Sequence, residues 1–234
     1  MNKKIGWLLP LTLLLVACGQ QSDSATTTNS SQTASSRVLE SSSTSTSTNT
    51  NASYNGSYYS VQGNYGEVII ANKKHPLSAD YAPGEDPQAL AAFQNLIADM
   101  QAKGFDISNN YSGFRSYETQ ASLYQSYVDQ DGQAAADTYS ARPGYSEHQT
   151  GLAFDLLDSS GNLLEEPTAS QWLAENAHHY GFIVRYLPGK ENSTGYIAES
   201  WHVRYIGQEA ADIYNSGLTL EEYFGVPGGD YLND

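Results

Sequence analysis

The chain has 234 residues, of which 11 are basic and 26 acidic, and its formal net charge is −15. An acidic chain is a poor candidate for binding nucleic acid or for docking directly on anionic lipid, because both partners need a basic face. Its single cysteine excludes a disulfide within the chain, so core packing or a bound metal must hold the fold.

The first segment has the layout of an export signal. Lys3 and Lys4 precede an apolar run over residues 5–16 that is too short to span a bilayer. The sequence Leu-Val-Ala-Cys at 15–18 resembles a bacterial lipobox, in which cleavage leaves the cysteine lipidated. We therefore predict a signal peptide at 1–17, lipidation of Cys18, and a protein anchored to the bacterial cell membrane by this lipid alone, facing the cell wall.

A low-complexity segment follows the predicted lipidation site. Residues 19–53 are almost all Ser, Thr, Asn, Gln and Ala, a composition that cannot bury enough apolar surface to offset the entropy of ordering. We therefore predict that 18–53 is the lipidated cysteine and a disordered tether. Residues 54–234 are predicted to form one domain, which is long enough to bury a proper core.

The domain alternates short helices and strands. A first helix is predicted over 87–103, because Asp86 can cap it, Pro87 suits its first turn, and apolar residues recur at helical spacing. Further helices are predicted over 116–128 with Ser116 as cap, near 133–139, from a Thr168 cap to Tyr180, and over 208–215. Strands are predicted within 105–113 and at 152–157, 182–186 and 201–206. This mixture indicates an α+β fold with an antiparallel sheet.

Two of the predicted strands carry polar residues of chemical interest. Asp155 lies on one face of strand 152–157, while Leu152, Phe154 and Leu156 lie on the other face. A carboxylate among apolar neighbours is costly to bury unless it is paired or bound to metal. His148 precedes this strand, and Gly151 makes it easy for the chain to bend the histidine back towards Asp155.

The second strand offers a matching histidine. In 201–206, His202 shares a face with Arg204 and Ile206, and Glu199 comes three residues earlier. Two histidines and one aspartate suit a zinc site that leaves one position for water, and Glu199 could then act as a base that is not itself a ligand. By spacing alone, the metal site stays open, because a histidine beside a carboxylate is more often a structural hydrogen-bonded pair.

The motifs around these residues resemble those of the VanY-type D-alanyl-D-alanine carboxypeptidases. S-x-H-x-x-G-x-A-x-D runs from Ser146 to Asp155, E-x-W-H follows at 199–202, and similarity extends through GFRSYETQ at 113–120 and HHYGFIVRY at 178–186. The resemblance implies a Hedgehog/D-Ala-D-Ala peptidase-like fold, with a central antiparallel sheet, flanking helices and one zinc ion per chain. It implies zinc binding by His148, Asp155 and His202, and general acid/base work by Glu199.

The resemblance also implies a substrate, the stem peptide of peptidoglycan. The lipobox, tether and domain together resemble the LdcB/DacB branch of streptococcal lipoproteins, which implies an L,D-carboxypeptidase that removes the terminal D-Ala from tetrapeptide stems. A carboxypeptidase must recognise a free carboxylate, which a planar arginine fork does best, and Arg115 is the candidate. Gln120 and Ser146 are further candidates for contacts with the D-Ala, and Tyr186 is a candidate wall of the pocket.

Several alternatives remain open from the sequence. The same motifs serve a D,D-carboxypeptidase on pentapeptide stems and an endopeptidase, and the fold also serves non-catalytic binding modules of the cell envelope. We expect a monomer. The roles of Arg142 and Arg204 are left undecided between substrate contact and pairing with acidic neighbours. His178 and His179 lie at a predicted helix end, where the helix dipole favours a cation, and are interpreted as structural or as supporting the site.

Overall fold

The computed structural model describes residues 52–232. The predicted signal peptide, Cys18 and nearly all of the predicted tether lie outside these residues. In the described part, no helix is both long enough and apolar enough to cross a membrane.

Helices and strands follow one another in an α+β pattern. The strands are β1 (Ser53–Tyr54), β2 (Tyr59–Gln62), β3 (Glu67–Ile70), β4 (Tyr111–Ser112), β5 (Ala153–Leu156), β6 (Phe182–Tyr186) and β7 (Glu199–Tyr205). The α-helices are α1 (Pro87–Ala102), α2 (Tyr117–Asp131), α3 (Gln133–Tyr139), α4 (Pro167–Asn176), α5 (Glu191–Thr194), α6 (Glu209–Ser216) and α7 (Leu220–Phe224). Short 3₁₀ helices span Glu147–Thr150 and Ala177–Tyr180.

The central sheet has the strand order β4-β5-β7-β6, and its neighbouring strands are antiparallel. The alternation predicted for 152–157 and 201–206 is confirmed, because Phe154 and Val203 are fully buried in the main core with Phe93 of α1 and Leu173 of α4. Phe93 and Phe154 stack with their ring centroids 4.6 Å apart. Helices α1 and α4 therefore cover one face of the sheet, and Asp155 and His202 lie on the opposite face.

The two predicted caps of the first helices are confirmed. The Asp86 carboxylate accepts the backbone N–H groups of Gln88 and Ala89 at the start of α1, and the Ser116 hydroxyl accepts the N–H of Thr119 at the start of α2. These bonds satisfy donors that a helix leaves without internal partners.

The predicted cap at Thr168 is wrong. Helix α4 begins one residue before it, and the carboxylate of Glu166 accepts the backbone N–H groups of Thr168 and Ala169. Glutamate is an uncommon N-cap residue, so the prediction placed the cap at the threonine. The α-helix also ends at Asn176, and the chain reaches Tyr180 through a 3₁₀ turn.

An N-terminal sheet was not predicted from the sequence. Strands β1, β2 and β3 pair in order, antiparallel, and their apolar side chains join a second core with α6 and α7, formed by Val68, Ile70, Ile183, Ala210, Ile213, Leu220 and Val226. The strands have four residues or fewer and are interrupted by Gly, Asn and Ser, so no periodic pattern is long enough to reveal them.

Gly151 makes the bend that brings the 3₁₀ helix at 147–150 onto β5. Its φ is +73°, and a Cβ there would collide with the Gly84 carbonyl oxygen. Gly161 has a similar φ of +85° with open space around it. We expect Gly161→Ala to cost about 1–2 kcal/mol, the penalty of the left-handed conformation, and Gly151→Ala to cost about 1–3 kcal/mol more, because the loop must also shift.

Urea denaturation of the two glycine variants beside the unaltered protein checks this expectation. Equal midpoints for Gly151→Ala and Gly161→Ala would contradict the close packing of the loop against Gly84.

Candidate active site and metal centre

The three predicted metal ligands converge on the polar face of the sheet. Asp155 on β5 and His202 on β7 are direct cross-strand partners, and His148 reaches them from the adjoining 3₁₀ helix. The His148 Nε2 atom lies 3.1 Å from Asp155 Oδ2, and His202 Nδ1 lies 3.0 Å from Asp155 Oδ1. One candidate ligand atom from each residue lies within 4.8 Å of the others, and all three residues are buried.

Each histidine uses its second ring nitrogen elsewhere. His148 Nδ1 lies 2.8 Å from the Gly113 carbonyl oxygen, which only accepts, so this nitrogen carries the proton and Nε2 is left unprotonated for a ligand. His202 Nε2 lies 3.3 Å from the Glu147 carboxylate. Partners of this kind fix the tautomer and ring orientation of metal-binding histidines.

The donor set therefore fits a zinc ion. Two imidazole nitrogens and one carboxylate are the ligand types that zinc takes in catalytic sites, where the fourth position is left to water or substrate. Burial would raise the pKa of Asp155, but the two histidines hold it well below its usual value, so the carboxylate is ionised and available as a ligand.

Glu199 reaches the same face because β7 is irregular. Residues three apart in a regular strand point to opposite faces, yet Glu199 Oε2 lies 3.8 Å from His202 Nδ1. The register of β6 against β7 shifts between Val184 and Tyr186, so that Tyr186 pairs with Glu199. Such a bulge re-aims side chains, and the strand begins at Glu199 rather than at the predicted residue 201.

The environment of Glu199 suits proton transfer. Its side chain is about one-tenth exposed. Burial raises the pKa of Glu199 to about 7. The negative charges of Asp155 and Glu147 also raise this pKa, whereas His202 lowers it. A carboxyl group with a pKa near neutrality can both take up and return a proton.

Arg115 lies in the loop before α2 and is held from two sides. Its Nη1 donates to Gln120 Oε1 at 2.9 Å, and its Nη2 donates to Ser112 Oγ at 2.8 Å, with Asp155 Oδ2 at 3.9 Å. Two of its five N–H groups are used in these hydrogen bonds, and the others remain for an anionic ligand.

Gln120 lies beside Arg115 and lines the same cavity. Its side chain is buried, its amide oxygen accepts from Arg115, and its amide nitrogen donates to the Ala141 carbonyl oxygen at 2.6 Å. These bonds orient the arginine, and the contact of Gln120 with the D-Ala stays a prediction.

Ser146 and Tyr186 lie where the sequence predicted, beside the ligands. The Ser146 hydroxyl accepts the backbone N–H of His148 at 3.3 Å and keeps its own hydrogen to donate. The Tyr186 ring packs against the His202 ring, with centroids 4.9 Å apart. Trp201 packs against the main core and holds the strand between Glu199 and His202 in place.

All of these residues line one cavity of about 590 Å³. Its polar members include Ser112, Arg115, Gln120, Ser140, Ser146, Glu147, His148, Asp155, Glu199 and His202, and its walls include Leu123, Tyr127, Tyr139, Tyr186, Tyr196, Ile197 and Trp201. The metal ligands, the candidate base and the candidate carboxylate receptor therefore face a single space large enough for part of a peptide.

Glu147 was missed by the sequence reasoning. Its buried carboxylate binds Arg185 and Arg204 and also faces His202. Burial would raise the pKa of Glu147, but the two arginines hold it well below its usual value. The sequence does contain one indication of such a residue. Arg185 and Arg204 lie within apolar strands, and buried cations need a counter-charge.

The residues left undecided by the sequence have structural partners. Arg204 is buried and donates to Glu147 and to the Ile69 carbonyl oxygen, and Arg142 pairs with Asp137 at 3.0 Å. His178 stacks on Tyr214 outside the cavity, with ring centroids 3.8 Å apart, and His179 lies against it.

A family model and a curated relative, both of carboxypeptidases, match this chain. The family model described as VanY, D-alanyl-D-alanine carboxypeptidase, matches residues 84–208. The putative carboxypeptidase YodJ of Bacillus subtilis is 35% identical over 182 residues, a match that covers 67% of this chain and 66% of that protein. The chain thus spans about two thirds of the length of this curated relative.

Solved structures extend the similarity to the fold. The L,D-carboxypeptidase DacB from Streptococcus pneumoniae is 62% identical with a TM-score of 0.76, covering 77% of this chain and 98% of that one. The LdcB LD-carboxypeptidase, whose structure concerns peptidoglycan recognition, is 61% identical with the same TM-score and covers 77% and 97%. A vancomycin resistance D,D-pentapeptidase VanY in complex with Zn(II) is 36% identical with a TM-score of 0.58, covering 66% and 97%.

Proposed function

Because the chain belongs to the VanY family of D-alanyl-D-alanine carboxypeptidases, we propose that it is a zinc-dependent L,D-carboxypeptidase of peptidoglycan. It removes the terminal D-Ala from tetrapeptide stems and leaves tripeptides. The observation that carries this proposal is the buried group His148, Asp155 and His202 with Glu199 beside it. Identities of 61–62% to two L,D-carboxypeptidases support the L,D assignment.

The proposed cofactor is one zinc ion per chain. The donor set of the site fits it, and a VanY relative has been crystallised with Zn(II). When bound, zinc supplies a Lewis acid and lowers the pKa of a bound water to about 7.

Side chains of the protein transfer the proton and bind the substrate. Glu199 takes a proton from the attacking water at its carboxylate and returns it to the amine of the departing D-Ala, for which its pKa of about 7 is suited. Arg115 binds the terminal carboxylate of the stem through its free N–H groups, and Ser112 and Gln120 hold its guanidinium plane. Ser146 donates its hydroxyl hydrogen to the substrate backbone.

We also propose where the enzyme works. Cleavage before Cys18 and lipidation of that cysteine anchor the chain to the outer surface of a bacterial membrane, and the Ser/Thr-rich tether lets the domain reach the wall. This proposal rests on the sequence of residues 1–53 alone. We expect the enzyme to act as a monomer.

Mass spectrometry of stem peptides tests the function directly. The zinc-loaded protein is incubated with tetrapeptide and pentapeptide stems side by side, and we expect loss of one alanine from the tetrapeptide alone. Loss from the pentapeptide alone would move the assignment to a D,D-carboxypeptidase, an activity that a VanY relative of the same fold carries. No change in either peptide with zinc bound would favour a non-catalytic binding module.

A further inference from the structure

Glu147 occupies the centre of a buried network of charges behind the metal ligands. Its side chain has no solvent exposure, and those of Arg185, Arg204 and Glu221 are exposed by 3% or less. Two glutamates and two arginines balance their charges there. Such a cluster is costly to desolvate unless every charge is paired, so the positions of its members are tightly constrained.

The two oxygens of Glu147 have separate partners. Oε1 accepts from Arg185 Nε at 2.8 Å and from Arg204 Nη1 at 2.9 Å, whereas Oε2 lies 3.3 Å from His202 Nε2. Arg185 Nη1 and Nη2 donate to the two carboxylate oxygens of Glu221 in α7, at 2.9 and 2.6 Å. The arginines thus hold Glu147 by one oxygen and leave the other oxygen for the histidine.

We propose that Glu147 is a positioning residue that fixes the ring orientation and tautomer of His202, with the proton on Nε2 and Nδ1 directed to the metal. This inference rests on the proposed zinc site. An imidazole whose far nitrogen has no acceptor can carry its proton on either nitrogen. A carboxylate behind it removes that freedom and makes the ligand more basic.

The chemistry of position 147 requires a carboxylate. Three donors converge on it, from Arg185, Arg204 and His202, and both oxygens of a carboxylate accept. Glutamine has the same shape but only one accepting oxygen, so Glu147→Gln must turn an amide N–H either towards the arginines or towards His202. Glu221→Gln is the matched control, because it disturbs the same network through Arg185 without touching His202.

The test is the zinc dissociation constant of the purified protein, measured by competition with a chromogenic chelator at fixed pH. We expect Glu147→Gln to weaken zinc binding by about 10–100-fold, the usual effect of losing such a partner, and Glu221→Gln to leave it unchanged. An unchanged constant in Glu147→Gln, or equal weakening in both variants, would overturn the inference. If the unaltered protein binds no zinc, the proposed function itself fails, so the two failures are distinguishable.

A second measurement does not depend on the folding of any variant. Nitrogen-15 NMR of the imidazole groups in the zinc-loaded, unaltered protein reports which nitrogen of His202 carries the proton. The inference predicts protonation at Nε2, and a proton on Nδ1 would overturn it. This measurement tests the ligand atom of His202, and the zinc dissociation constants of the two variants test the contribution of Glu147.

Discussion

Replacing Glu199 with Gln should abolish D-Ala release while the zinc content of the protein stays unchanged. The amide has nearly the same shape as the carboxyl group but cannot take a proton from water. General acid–base catalysis by a positioned side chain contributes about 10²–10⁴-fold, so we expect turnover to fall by at least that range. Steady-state release of D-Ala, measured together with elemental analysis for zinc, gives both quantities on one sample.

The control for this variant is Glu165→Gln, which makes the same chemical change on an exposed side chain that does not line the cavity. Glu165→Gln should retain full activity. Retained activity in Glu199→Gln would show that another group is the base. Loss of zinc from Glu199→Gln would instead make Glu199 a ligand.

Most of the architecture around the site follows from local sequence rules. The spacing of apolar residues and the caps at Asp86 and Ser116 predicted the helices that begin at Pro87 and Tyr117. Alternation along 152–157 placed Phe154 in the core and Asp155 on the opposite face. These features depend on neighbours within a few positions in the chain, which is why a single sequence reveals them.

The features that the sequence did not reveal depend on residues distant in the chain. The bulge that turns Glu199 to the side of His202 arises from the pairing of β6 with β7, and nothing in E-x-x-H specifies it. Glu147 could be understood only once Arg185 and Arg204 were placed behind it. The hydrogen bond from Gln120 to the Ala141 carbonyl oxygen spans 21 positions and was likewise not predicted.

Replacing His148 with Ala should remove zinc from the protein and activity with it. Zinc binding by small structural sites with four ligands is worth about 10–16 kcal/mol, or roughly 2.5–4 kcal/mol per ligand, and the loss of one should weaken binding by about 10²–10³-fold. The loss of this side chain should leave the fold intact, because the His148 ring contacts the Gly113 carbonyl oxygen and Asp155 and is not part of the apolar core.

The matched control is His178→Ala, which removes a histidine stacked on Tyr214 outside the cavity and should leave both zinc and D-Ala release intact. Elemental analysis after gel filtration in metal-free buffer compares the two variants with the unaltered protein. Full zinc occupancy in His148→Ala would refute its role as a ligand. If activity disappears while zinc remains, His148 acts on the substrate instead, and the metal must be held by Asp155, His202 and a residue other than His148. The two variants therefore separate a metal site built on the cross-strand pair Asp155 and His202 from a histidine–carboxylate cluster that only stabilises the sheet.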